Sequence, residues 1–88
     1  MSLKKVHDVQ PKEFKFTKEN LNKVEEILKR YPDKNKKSAV MPFLYLAQKQ
    51  NNNWIPLAAM KYIANYLSMP YISVYEVATF YTMYNLAP

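Results

Sequence analysis

Apolar residues recur along this chain at three- and four-residue steps in four stretches separated by polar or proline-bearing breaks. The first stretch is the clearest. Leu21, Val24, Ile27, Leu28 and Tyr31 follow the helical period, with Lys and Glu on the opposite side. Thr17 stands where an N-cap belongs, and Phe16 and Leu21 occupy the two ends of a hydrophobic staple. Lys29 and Arg30 suit the negative end of the helix dipole, and Pro32 stops the helix. A polar connector, residues 33–37, follows.

A second helix is predicted from about Ser38 to Gln50, with Val40, Met41, Leu44, Tyr45 and Ala47 as its apolar set. Pro42 is tolerated only near a first turn, so the helix either starts just before Ser38 or bends there. Asn51, Asn52 and Asn53 close it, since asparagine accepts left-handed backbone. A third helix begins with Pro56 at or near its first position, buries Leu57, Met60, Ile63, Ala64 and Leu67, and is broken by Ser68-Met69-Pro70. The fourth is predicted over Ser73–Tyr84, opened by a capping box of Ser73 and Glu76. Its recurring positions are Val74, Val77, Tyr81 and Tyr84. Its β-branched residues would also suit a strand, but alternation fails because Glu76 and Ala78 fall on the face of Val74 and Phe80. The expectation is an all-α fold, a small bundle of four short helices over residues 14–88, preceded by a flexible N-terminal arm over residues 1–13.

Composition removes most enzyme classes. The 88 residues contain Gly 0, Cys 0 and His 1. Without glycine there is neither a dinucleotide-binding fingerprint nor a phosphate-binding loop. Without cysteine there is no disulfide framework, thiol nucleophile or iron–sulfur ligation, and one histidine makes no zinc cage. The longest apolar run, Ala39 to Ala47, contains Pro42 and is far shorter than the roughly 20 residues of a membrane span. No signal peptide is visible in the polar N-terminal residues, so no direct membrane insertion is expected.

Charge is lopsided. The formal net charge is +6, and nearly all of it lies before Tyr45; beyond that point only Lys49, Lys61 and Glu76 are charged. Basic blocks never exceed two residues, the pattern of a solvated lysine-rich surface.

No catalytic constellation emerges. Glu76 is better explained by the capping box than by acid–base chemistry. His7, beside Asp8 in the arm, reads as a solvated histidine, and Ser38, Ser68 and Ser73 have no ordered histidine to activate them. The third and fourth helices do have the spacing of a helix-turn-helix, and a nucleic-acid-binding domain is the alternative reading. Against it, no Lys or Arg occurs between Ser73 and Pro88, where a recognition helix would need them. A steep salt dependence of duplex binding would separate that reading from a protein-docking one. The fourth helix offers instead Tyr71, Tyr75, Phe80, Tyr81 and Tyr84, more aromatic surface than so small a core can bury.

Three segments carry a family resemblance: Ser38–Gln50 (SAVMPFLYLAQKQ), Trp54-Ile55-Pro56, and Val74–Tyr84 (VYEVATFYTMY). From about Phe14 to Pro88 the chain resembles the family of the 24 kDa subunit of NADH–quinone oxidoreductase, respiratory complex I. The related small subunits of NAD-linked hydrogenases and formate dehydrogenases share the pattern more loosely. One departure is Asn53, where the family usually has glycine before the tryptophan; asparagine also tolerates positive φ.

The resemblance implies the N-terminal helical part of a longer subunit, a fragment whose own 2Fe–2S thioredoxin-like domain would follow it. It implies no cofactor or metal ligand within these residues, a 2Fe–2S cluster in the full-length protein, and FMN and NADH in a neighbouring flavoprotein subunit. The parent complex would be the enzyme, and the segment alone would not. Its place would be the peripheral arm of the respiratory complex, at the cytoplasmic side of the inner membrane or the mitochondrial matrix side. Tyr75, Phe80, Tyr81 and Tyr84 are then the expected interface with the cluster domain or the flavoprotein subunit. Self-association through bare apolar surface is also expected, and nucleic acid is not an expected partner.

Overall fold

The computed structural model describes residues 6–30, 36–81 and 83–88, with backbone alone at residues 36 and 37. Among the described residues the chain forms four α-helices and no strand: α1 (Lys18–Arg30), α2 (Lys36–Gln50), α3 (Leu57–Tyr66) and α4 (Tyr71–Phe80). The expected roles of Tyr31, Pro32, residues 33–35 and Thr82, and the first five residues of the arm, lie outside the described residues.

The amphipathic stripe of α1 does what its period demands. Val24 is fully buried, Leu21, Ile27 and Leu28 are half-buried, and the charged residues face water. Thr17 caps it, its Oγ1 accepting the Asn20 N–H at 3.2 Å. The helix meets the bundle through α2, which also packs on α3 and α4. Phe43, Leu44 and Ala47 of α2 are fully buried together with Met60, Ile63, Val74 and Ala78 from the two helices beyond it. An aromatic cluster fixes the approach of the N-terminal segment. Phe16 makes edge contacts with Phe43 at 6.0 Å and with Tyr62 at 5.4 Å, centroid to centroid.

Helix α2 starts at Lys36, ahead of Ser38, which leaves Pro42 in its interior. Proline has no N–H for the Ser38 carbonyl, and exposed Ser38 leaves that group within reach of water. Two helices end in the same way without a glycine. Asn52 (φ 54°) follows α2, and the Asn53 N–H reaches back to the Gln48 carbonyl at 2.8 Å. Ser68 (φ 53°) follows α3, and the Met69 N–H reaches the Ala64 carbonyl at 2.9 Å. Both are Schellman closures, which rely on left-handed backbone just past the helix.

The expected capping box of α4 is corrected. The helix begins at Tyr71 with Pro70 as its N-cap, and no side chain caps it. Proline's fixed φ starts the turn two residues early, placing Ser73 and Glu76 inside the helix. Its far end is also shorter than the period suggested. Tyr81 is extended (φ −89°, ψ 124°), and the chain turns back across the bundle.

That returning segment, residues 83–88, is held by side chains whose role the period could not reveal. Buried Gln48 donates from Nε2 to the Met83 carbonyl at 3.2 Å and accepts the Asn85 N–H on Oε1 at 2.7 Å. The Ile55 N–H donates to the Asn85 carbonyl at 2.7 Å, and the His7 N–H to the Leu86 carbonyl at 3.1 Å. Within the expected arm, His7 and Gln10 make contacts to the body. The His7 ring, expected to be solvated, packs edge-on against Trp54 at 5.1 Å, and Gln10 Oε1 accepts the Leu57 N–H at 3.0 Å, at the start of α3. Gln50 performs the same service beside α1, accepting from the Thr17 N–H and donating to the Lys15 carbonyl.

Candidate docking surface

Only part of the aromatic set anticipated for contact is brought together at the surface. Tyr84 is corrected: it is buried at 2% exposure, and its hydroxyl donates to the Met41 carbonyl at 3.0 Å. The early end of α4 is the reason, because the turn after Phe80 points the segment inward and Tyr84 becomes a core residue. Burial, then the neighbouring Tyr81, pushes its hydroxyl above the ordinary tyrosine pKa. Tyr75 is half-buried, its ring 6.0 Å from that of Tyr71. Burial, then Tyr75, likewise raises Tyr71. Phe80 and Tyr81 remain exposed, Phe80 by 63%.

Two residues that the sequence pattern did not single out join them. Ile72 is 55% exposed and Met83 54%. Ile72, Glu76 and Phe80 are spaced four apart, so they form one row along the outer side of α4. Ile72 could have been found from the period had the helix been started at Tyr71; Met83 lies beyond the helix, where period carries no signal.

Beside this row runs an open groove of about 440 Å³, lined by Val40, Met69, Ser73, Glu76, Val77, Phe80 and Tyr81. Its walls come from α2, the α3–α4 turn and α4, so packed elements set its shape. It is mainly apolar, and Glu76 is its one charged residue. No Lys or Arg follows Lys61 in the sequence, so α4 itself contributes no basic side chain. In a helix-turn-helix, α4 would be the element facing phosphate and base edges; its outer row of Ile72, Glu76 and Phe80 offers them no basic side chain.

The chain has no cysteine, and no group of three His, Cys, Asp or Glu among the described residues could hold a metal ion. No helix among the described residues is long and apolar enough to cross a membrane. What the surface can do chemically is exclude water from a partner's apolar side chains and meet one positive charge.

Residues 24–88 match the family model described as thioredoxin-like [2Fe-2S] ferredoxin. An NADH-quinone oxidoreductase subunit from Rickettsia conorii (strain ATCC VR-613 / Malish 7) is 60% identical over 73 residues, which are 83% of this chain and 44% of that protein. Its counterpart from Rickettsia bellii (strain RML369-C) is 56% identical over 75 residues, 85% of this chain and 45% of that protein. The counterpart from Rickettsia prowazekii (strain Madrid E) is 56% identical over 75 residues, covering 85% and 42% respectively. The chain thus spans less than half the length of these relatives.

Proposed function

The chain belongs to the thioredoxin-like [2Fe-2S] ferredoxin family, and on that premise we propose that its helices form the docking part of the 2Fe–2S subunit of an NADH–quinone oxidoreductase. In this reading the whole subunit takes part in electron transfer from NADH through FMN to its cluster. The 88 residues contribute attachment and no redox chemistry, in keeping with a donor set that offers a cluster no thiolate. The partners are the FMN- and NADH-binding flavoprotein subunit and the cluster-bearing part of the same protein. The place of action is the peripheral arm of the respiratory complex, outside the bilayer.

The observation that carries the proposal is the exposed row on α4 with its adjoining groove. Ile72 and Phe80 both stand exposed beside an open, mainly apolar groove. Exposed apolar patches of this kind mark contact sites, and aromatic residues are enriched in the buried centres of interfaces.

Phe80→Ala in the complete subunit tests it. Phe80 is 63% exposed, so the substitution leaves the helical content and thermal midpoint of the chain nearly unchanged. Co-purification with the flavoprotein subunit should drop sharply. Retention at the wild-type level, with the fold intact, would overturn the proposal.

A further inference from the structure

A second groove, of about 260 Å³, opens between the N-terminal segment and α3 and shares no lining residue with the one on α4. Lys12 and Lys15 line it from the segment and Lys61 from the helix, and all three are exposed. Phe14 and Tyr62 line it too, half-buried, with their rings edge to face at 5.8 Å. On α3 the lining positions Ala58, Tyr62 and Asn65 recur at three- and four-residue steps, so one face of the helix supplies them. The lysines are far apart in the sequence and meet through the packing of Phe14 on Phe16 and Tyr62. Glu13 is the one acidic residue of the lining, which leaves the groove with an excess of positive charge.

We infer that this groove receives an acidic segment of a partner protein, its carboxylates meeting Lys12, Lys15 and Lys61 and an apolar side chain lying on Phe14 and Tyr62. Charge complementarity sets the sign of the occupant. The aromatic lining sets its second property, since rings and lysine stems together offer apolar surface to a ligand that carries more than charge. Glu13 favours a polypeptide over a nucleic acid. A polypeptide brings main-chain N–H donors to that carboxylate, whereas a run of phosphates is repelled by it. The rings of Phe14 and Tyr62 are also engaged edge-on with each other and with Phe16, an arrangement that serves packing rather than base stacking. A second copy of this chain is a poor occupant, because each copy carries a formal net charge of +6. The inference requires that the chain work within an assembly, as proposed above, but not that the α4 groove be the other contact.

The experiment treats the complete protein, in its assembled complex, with a water-soluble carbodiimide, which joins a lysine amine to a carboxylate in direct contact. Mass spectrometry maps the products. Amide links from Lys12, Lys15 or Lys61 to an Asp or Glu of another polypeptide are expected, and fewer of them when salt is raised before coupling. In parallel, Lys15→Glu with Lys61→Glu should be held roughly tenfold less tightly at low salt, with helix content unchanged because both side chains are exposed. Lys23→Glu with Lys29→Glu on α1 makes the same change in net charge at residues that line neither groove, and should stay near wild type. Equal loss in the two double variants would make the effect one of net charge and overturn the inference. So would links solely to a second copy of this chain. Single-stranded DNA of 20 nucleotides bound by wild type and released by Lys15→Glu with Lys61→Glu would make nucleic acid the occupant instead. If Phe80→Ala releases the protein while the groove lysines form no link and their reversal costs nothing, the acidic segment falls and docking through α4 stands. If the lysine reversal releases it and Phe80→Ala does not, the α4 reading falls and this one stands.

Discussion

Loss of Gln48 should disturb this fold through the returning segment that it holds. The residue is 7% exposed, and its amide makes two bonds to the returning segment, at 3.2 Å to the Met83 carbonyl and 2.7 Å from the Asn85 N–H. Gln48→Ala removes both and leaves two main-chain groups to find water or remain unmatched. At about 1 kcal/mol net for each bond, and more where a partner stays buried, the loss comes to roughly 2–3 kcal/mol with the truncated packing included. For a chain of this length that is a fall of roughly 10–20 °C in thermal midpoint. Urea or thermal unfolding followed by circular dichroism measures it directly.

Gln48→Glu sharpens the test. The carboxylate can still accept the Asn85 N–H but has no proton for the Met83 carbonyl, whereas the protonated acid mimics the amide. Burial therefore holds this carboxyl above its ordinary value of about 4.3. The folded state then keeps its proton longer than the unfolded one, so stability relative to wild type falls as pH rises from about 4.3 through the folded value. The variant should be nearest wild type in acid. A Gln48→Ala loss below about 0.5 kcal/mol, or a Gln48→Glu deficit independent of pH, would refute the claim that this amide anchors the segment.

Other outcomes follow from the same geometry. Ser68→Gly should stabilise the chain by about 0.5–1 kcal/mol, because Ser68 sits at φ 53° where a Cβ is unfavourable and glycine is not; denaturant titration reads it, and any destabilisation counts against the Schellman reading. The buried Tyr84 hydroxyl, raised above its ordinary value of 10.0, contributes stability that is present below pH 10 and lost as pH rises toward its folded value. Tyr84→Phe should lower stability at neutral pH by about 1 kcal/mol and reduce the alkaline decline; an unchanged alkaline limb in the variant would assign the decline to other groups. Amide exchange should be faster over Val77–Phe80 than over Met60–Ala64 in the chain alone, and should slow at α4 in the assembled complex. Equal protection of α3 and α4 in the free chain would count against an unsupported outer face.

The parts of the fold that are legible in the sequence are those where local period and tertiary packing agree. Val24 with its flanking charges, Thr17 before them, and Met60, Ile63 and Leu67 behind Pro56 specify their helices without help. Asn52 marks a left-handed closure because asparagine tolerates that backbone, whereas the same conformation at Ser68 has no such marker. The fourth helix departs from its pattern at both ends for different reasons. Pro70 starts a helix without a side-chain cap, and so outcompetes the Ser73–Glu76 pattern. Tyr84 keeps its helical spacing in the sequence, yet the pull of the Met41 carbonyl and the Gln48 amide comes from residues about forty positions away. Of the proposed contact residues, Phe80 and Tyr81 lie on the outer face because α4 does; Tyr84 shows that aromatic surplus alone does not say which ring is left outside.

The contrast between α1 and α4 explains why the surplus falls on α4. Both are single helices at the edge of the same small core. On α1 the apolar stripe is narrow and matches α2, the helix it packs on among the described residues, so lysine and glutamate fill the remaining surface. On α4 the apolar residues run round the whole helix, a pattern that suits burial on every side. Yet among the described residues the helices packed on α4 are α3 and α2, which cover Val74 and Ala78 and leave Ile72 and Phe80 bare. The helix is also poor in intrinsic formers. Ile72, Val74, Val77 and Thr79 are β-branched, and the Thr79 hydroxyl bonds to the Tyr75 and Glu76 carbonyls within the last turn. A helix of weak propensity is held by what packs against it. A contact along Ile72, Glu76 and Phe80 would therefore bury the surplus and steady the element that presents it, coupling occupation of the groove to the order of α4 itself.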